Sequence, residues 1–272
     1  MKQVSSRLYD KDFFNRVYGQ DNSADTLEEN LSKEYYKEMV SLVKLTPENT
    51  VVDFGCGNGN LSFMLWKKYR CRVVGIDYSK AAVDICRDRQ KKYEKKYGAM
   101  KIEFLCANNN HLPKLKNIRA VYLCDVVEHM YDSEIRKVLK SFQSWSNNLQ
   151  VVIHTDNNIY LKFIRPILNL INVIMRNSTL SEVIRAENEE KKVHVNLTNP
   201  NRLKKTMYTY GLTEGIRMYP PVTPNRISAQ LGALSKVPYM VNLVRNVVKS
   251  LPFLSPSFYA VFLYTHTKNG DR

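Results

Sequence analysis

The chain has 272 residues, 44% hydrophobic and 25% charged, which is enough apolar material for one good core and excludes wholesale disorder. Its formal charge of +15 favours association with nucleic acid, anionic lipid or phosphorylated small molecules, or serves solubility alone. The five cysteines form no C-x-x-C pair, which argues against a zinc ribbon or disulfide framework and for a reducing cytoplasm.

The first 30 residues are polar with scattered aromatics (Tyr9, Phe13, Phe14, Tyr18) and read as an arm that folds over something. They lack the apolar run of a signal peptide, and no stretch of the chain is apolar for long enough to span a bilayer. Apolar spacing predicts a helix over 31–44.

A regular alternation follows. Short apolar strands are expected at 51–55, 71–77, 101–106, 120–125 and 149–154. Helices are expected at 61–69, at 79–97 with Ser79 as cap, and at 132–145 with Glu134 in the first turn. Strands and helices alternating in this way give a parallel sheet with right-handed crossovers. The basic stretch 87–101 reads as a solvated helix face. A helix at 200–210, capped by Asn199 and ended by Gly211, precedes strands at 213–221 and 259–267. The whole predicts one α/β domain over 1–272. Its Rossmann-like seven-stranded sheet is mostly parallel, with helices on both faces and an antiparallel last strand. The core is 31–155, and the substrate-side insertions are 156–198 and 222–256.

The chemistry is concentrated in VVDFGCGNGN, 51–60. Gly55, Gly57 and Gly59 stand at a strand-to-helix turn, where small residues let a ligand approach the backbone and permit positive φ. A helix N-terminus with unpaired N–H groups follows. Asp77 ends the second strand, where a carboxylate can accept from both hydroxyls of a ribose. Nucleoside binding follows from these two features together.

The order D-x-G-x-G-x-G resembles motif I of class I S-adenosylmethionine (SAM)-dependent methyltransferases. FLCANNNHLP (104–113) and CDVVEHM (124–130) are similar to that family's segments after strands three and four. The resemblance implies SAM as cofactor and assigns cofactor contacts residue by residue. Gly55, Cys56, Gly57 and Gly59 would approach the methionine part, with Asp53 holding the loop and Asp125 facing the same portion. Asp77 would take the ribose and Tyr78 would lie against the adenine. Asn108 stands where an Asp commonly meets the adenine amino group, a departure that offers a neutral acceptor instead.

Asp125, Glu128 and His129 are spaced to share one face of a helical turn. The pattern is similar to the E-x-x-E-H of ubiquinone-biosynthesis and small-RNA O-methyltransferases, where it contributes metal ligands. Mg²⁺ is compatible with these groups, but three side chains make a sparse site, so the reading without a metal is preferred. Candidate bases are His129, His154 after the fifth strand, and His194, whose segment VHVNLTNP resembles one in methyltransferases acting on sugars and lipid intermediates.

The stretches 160–177 and 226–253 are apolar with basic punctuation. Ordinary helical core is their default reading. A lid over an apolar substrate or peripheral contact with an anionic membrane are the others. The expected activity is O-methylation of a small-molecule or lipid- or sugar-linked metabolite. The alternatives are an RNA methyltransferase, less favoured because no RNA-binding module is recognisable, and a non-catalytic SAM-binding protein.

Overall fold

The structure, a computed structural model, describes residues 4–15, 27, 34–109, 111–175, 178–220, 231, 235–236 and 239–265. Seven strands form one sheet: β1 (Thr50–Phe54), β2 (Arg72–Asp77), β3 (Ile102–Cys106), β4 (Ile118–Cys124), β5 (Asn148–Asp156), β6 (Leu212–Met218) and β7 (Ser257–Thr265). Their order is β3-β2-β1-β4-β5-β7-β6. The first five pair in parallel, and β7 runs antiparallel to both β5 and β6. This is the expected Rossmann-like arrangement. The ends of β1 and β4 are adjacent at the point where strand order reverses, the place where such sheets open a ligand crevice.

Each helix buries the stripe that its spacing provides. Helices α1 (Glu34–Ser41), α2 (Asn60–Tyr69) and α3 (Lys80–Tyr97) cover one face. The other is covered by α4 (Asp132–Trp145) and, after α5 (Arg165–Ile174) and α6 (Leu180–Val193), by α7 (Pro200–Thr209). Phe63 of α2 is wholly buried against the rings of Tyr93 and Phe104, with centroids 5.1 and 5.6 Å away. Truncating such a ring costs about 3–5 kcal/mol. Local signals fix the ends of several helices. Ser79 Oγ accepts from Ala82 N at 3.2 Å, Asn199 Oδ1 accepts from Arg202 N at 3.0 Å, and Gly211 follows α7 with φ +76°.

Two expectations need correction. The stretch 87–101 is not uniformly solvated, because Arg89 is buried. The insertions are not ordinary core either: α5 and the last helix, α8 (Met240–Ser250), contain no fully buried residue. Most of 16–33 and 221–238, where parts of the expected arm and second insertion fall, lies outside the described residues. No helix among the described residues is long and apolar enough to cross a membrane.

Candidate active site

A cleft of ≈ 1070 Å³, open mouth included, lies at the carboxyl ends of β1, β2 and β4. Its floor is the glycine loop. Gly55, Gly57 and Gly59 all have positive φ (+73°, +52° and +82°), which only glycine adopts readily. Their surroundings separate their roles. A side chain at Gly55 would strike Val126 at 2.5 Å, and one at Gly59 would meet Cys86, Phe63 and Phe104 at 3.0–3.2 Å. Those two are glycines for packing. At Gly57 the nearest atom is Phe14 at 3.7 Å, so this position faces the cleft.

Asp77 is 7% exposed at the end of β2. Its carboxylate accepts from Gly57 N at 2.9 Å and Ser79 N at 2.8 Å, which ties the loop to the second strand. Burial pushes its pKa up to about 6 against these hydrogen bonds. Asp53 lies deeper; burial raises it to about 7, opposed by the Ser62 hydroxyl that donates to it at 2.6 Å. Both carboxylates line the cleft, together with Cys56, Tyr78, Asp125 and His129.

Sequence reasoning missed one support of this loop. Arg89 of α3 donates to the Asn58 carbonyl and to Asn60 Oδ1, the latter at 2.8 Å. Cys86 Sγ reaches the Gly57 carbonyl at 3.1 Å. A buried guanidinium under a turn of carbonyls pins the loop from below. Its only sequence signal was an arginine on the inward stripe of α3.

The arm folds over the mouth. Tyr9, Phe13 and Phe14 line the cleft. Ser79 Oγ donates to the Tyr9 carbonyl at 2.6 Å, and the Tyr9 hydroxyl bonds His129 Nδ1 at 3.0 Å. The Tyr9 ring stands edge-on to Tyr78, 5.6 Å away. Asn108 departs from expectation. It is exposed, accepts from His111 N at 3.1 Å in its own turn, and does not line the cleft. Ala107 and Asn109 do, and Asn109 donates to Glu134 at 2.8 Å.

The predicted common face of Asp125, Glu128 and His129 does not form. Asp125 takes a left-handed backbone (φ +55°) and only Val127–His129 is helical, as a tight 3₁₀ turn. The three side chains therefore part. Asp125 Oδ1 meets His154 Nδ1 at 2.6 Å, Glu128 accepts from Thr155 Oγ1 at 2.8 Å, and His129 turns to Tyr9 and the Val193 carbonyl. Burial works against the Asp125 charge, but the imidazole outweighs it and the carboxyl lies below its usual range. Glu128 is raised by burial beside Asp125 and Asp156. His129 is lowered to about 4 by burial and by His194.

The three histidines have different surroundings. His154 is engaged at both nitrogens, to Asp125 and to Ser257 Oγ at 3.0 Å, and so is a brace. His194 packs edge-on to His129, with centroids 4.7 Å apart. Its Nδ1 is 3.1 Å from Glu190, off-line for a hydrogen bond, and Glu190 is in turn clamped by Arg165 at 2.7 Å. His194 and Arg165 together hold Glu190 down to about 2. Asp156, Glu190 and His194 bring one ligand-type atom each within 4.8 Å of one another, as do Cys124, Asp125 and His154.

Residues 51–147 match the family described as "Methyltransferase domain". No curated protein sequence matches the chain. Solved structures share its fold. The cyclopropane synthase MmaA2 from Mycobacterium tuberculosis is 13% identical, with 96% of this chain and 98% of that one covered and a TM-score of 0.61. Magnesium protoporphyrin IX methyltransferase (ChlM) from Synechocystis PCC 6803, with bound SAH, is 14% identical over 94% and 98%, with a TM-score of 0.56. The methyltransferase domain of bacterial CtHen1-C is 17% identical over 87% and 100%, with a TM-score of 0.57.

SAM fits the residues present. The cleft has an open position over Gly57, the buried Asp77 carboxylate that holds the Gly57 N–H, and the Tyr78 ring in its lining. Residues 51–147 are thus a methyltransferase domain, set in a fold shared with solved methyltransferases, one of them with SAH bound.

Proposed function

We propose that the enzyme methylates a hydroxyl oxygen of a small, apolar or lipid-linked acceptor, with His194 as the base. Bound SAM would supply the electrophilic methyl group. The residues of the chain bind, orient and deprotonate. Asp77 would accept from the ribose hydroxyls, Tyr78 would pack on the adenine, and Gly57 would leave room for the methionine portion. Asp53 braces the loop through Ser62, and Asp125, oriented by His154, faces the methionine end.

The observation that carries the choice of a hydroxyl acceptor is the dyad of Glu190 and His194 behind His129. An alcohol must lose its proton as the new C–O bond forms, and a base matched to neutral pH supplies about 10²–10⁴-fold. The Glu190 carboxylate stabilises the imidazolium that forms on His194, and Arg165 keeps Glu190 ionised and in place. Val126 and Met130 line the cleft and Tyr160 is buried just beyond β5, which favours an acceptor with an apolar body. The arm, Tyr9 to Phe14, excludes water from the cofactor side.

The test is transfer of labelled methyl from SAM into fractionated cell extract. Label in the organic phase, lost with His194→Ala while SAH still binds, agrees with the proposal. Label confined to RNA would contradict it.

A further inference from the structure

The outer faces of helices α5 and α8 take no part in the proposed chemistry. Leu168 and Ile171 of α5 pack against Met240, Val241, Val244 and Val248 around Leu231. That contact satisfies one face of each helix. The apolar face of each helix continues past that contact into an adjacent, uncovered row. On α5 and the turn before it the row is Phe163, Ile167, Leu170 and Ile174, 57–70% exposed. On α8 it is Leu243 and Val247, followed by Leu251, 42–59% exposed. An apolar face that is covered over only part of its width leaves room for one more partner than the described residues supply.

Charge says which partner. The segments 157–181 and 215–270 contain no Asp or Glu, although the chain has 26 acidic residues. They do contain lysine and arginine, of which Lys162 and Lys249 are exposed. A protein interface surrounds its apolar centre with polar groups of both signs. Hydrocarbon beneath anionic headgroups asks for aliphatic rows flanked by cations alone, with long basic side chains reaching up to the phosphates.

We infer that the outer faces of α5 and α8 dock on an anionic lipid bilayer. Both helices leave the sheet at the carboxyl edge that holds the cleft. The start of β7 pairs there with the end of β5, Ser257 with Asp156. Asn157 clamps the two roots together, donating from Nδ2 to the carbonyls of Phe253 and Ser255 at 2.7 and 2.8 Å. Docking therefore sets the acceptor side of the cleft against the membrane. That last step rests on the proposed acceptor class; the docking itself does not.

The experiment is flotation of the full chain with vesicles of phosphatidylcholine alone or mixed with phosphatidylglycerol, without SAM or acceptor. Leu170→Asp with Leu243→Asp is the test variant; both sites are exposed, and retained SAH binding reports its folding. The expected result is flotation with the anionic vesicles only, weakened by salt, and lost in the variant. Lys162→Glu with Lys249→Glu should lower binding at least about tenfold, since each basic residue near such a surface contributes on the order of 1 kcal/mol. No flotation, equal flotation with neutral vesicles, or flotation unchanged in the aspartate variant would overturn the inference. So would a dimer in sedimentation that the variant dissociates, because the face would then belong to a second copy.

Discussion

The part of the molecule that holds the glycine loop, 51–155, and the part that follows it, 156–256, are built to different rules. In the first, nearly every residue of β1, β2 and β4 is buried and the functional groups stand at strand ends, tied by hydrogen bonds to backbone. In the second, α5, α6 and α8 have no buried residue, and the polar groups meet only because distant segments fold together: Asp156 with Glu190 and His194, and Arg165 with Glu190. A shared cofactor demands a fixed cradle. An acceptor particular to one enzyme asks only that a base and an apolar wall stand beside it.

That contrast can be broken at points of decreasing leverage. Gly57→Val should abolish SAH binding, because φ +52° is closed to a β-branched residue and the side chain would fill the approach. Calorimetry checks it, and retained affinity would count against the cradle. His194→Ala should lower kcat by roughly 10²–10⁴-fold with SAH affinity unchanged, measured by turnover on the identified acceptor. A parallel loss of SAH affinity would move His194 to the cofactor cradle. Arg89→Met removes two charge-assisted hydrogen bonds beneath the loop, each worth about 1.5–3 kcal/mol. It should lower the melting temperature and weaken SAH binding together; an unchanged melting curve would remove Arg89 from that role.

The smallest effect expected is that of pH. Asp77 ionises near 6 in the free protein and accepts from ribose best as a carboxylate. SAH affinity should be flat above that pH and fall by up to about tenfold per unit below it. Stability of the ligand-free protein runs the other way in the same window. Asp77 and Asp53 have raised folded-state values, about 6 and about 7. The native state therefore holds extra protons, and stability declines as pH rises from about 4 towards 7. Melting curves of the ligand-free protein against pH, with Asp53→Asn flattening the decline, check the sign.

The two parts also differ in how legible they were in the sequence. The strands and helices, the three glycines and Asp77 follow from short local patterns, because a strand, a turn and a helix start are each set by a few adjacent residues. Asn108 stands outside the cleft lining because it builds the turn after β3, accepting from His111 N, while Asn109 lines the cleft and donates to Glu134. The common face of Asp125, Glu128 and His129 assumed helical geometry, which the positive φ at Asp125 breaks. Glu190 and Arg165 carry no local pattern at all; they stand out only once α5 and α6 are side by side. The exposed rows of α5 and α8 look like core in sequence, since periodicity records an apolar face and not what covers it.

The most direct test of the cofactor assignment is calorimetric titration of SAH into the wild type, Asp77→Ala and His194→Ala. Saturable binding by the wild type and by His194→Ala is expected, with Asp77→Ala weaker by about 10–100-fold for the lost hydrogen bonds to a charged acceptor. Wild-type affinity in Asp77→Ala, or no uptake by the wild type, would contradict the account.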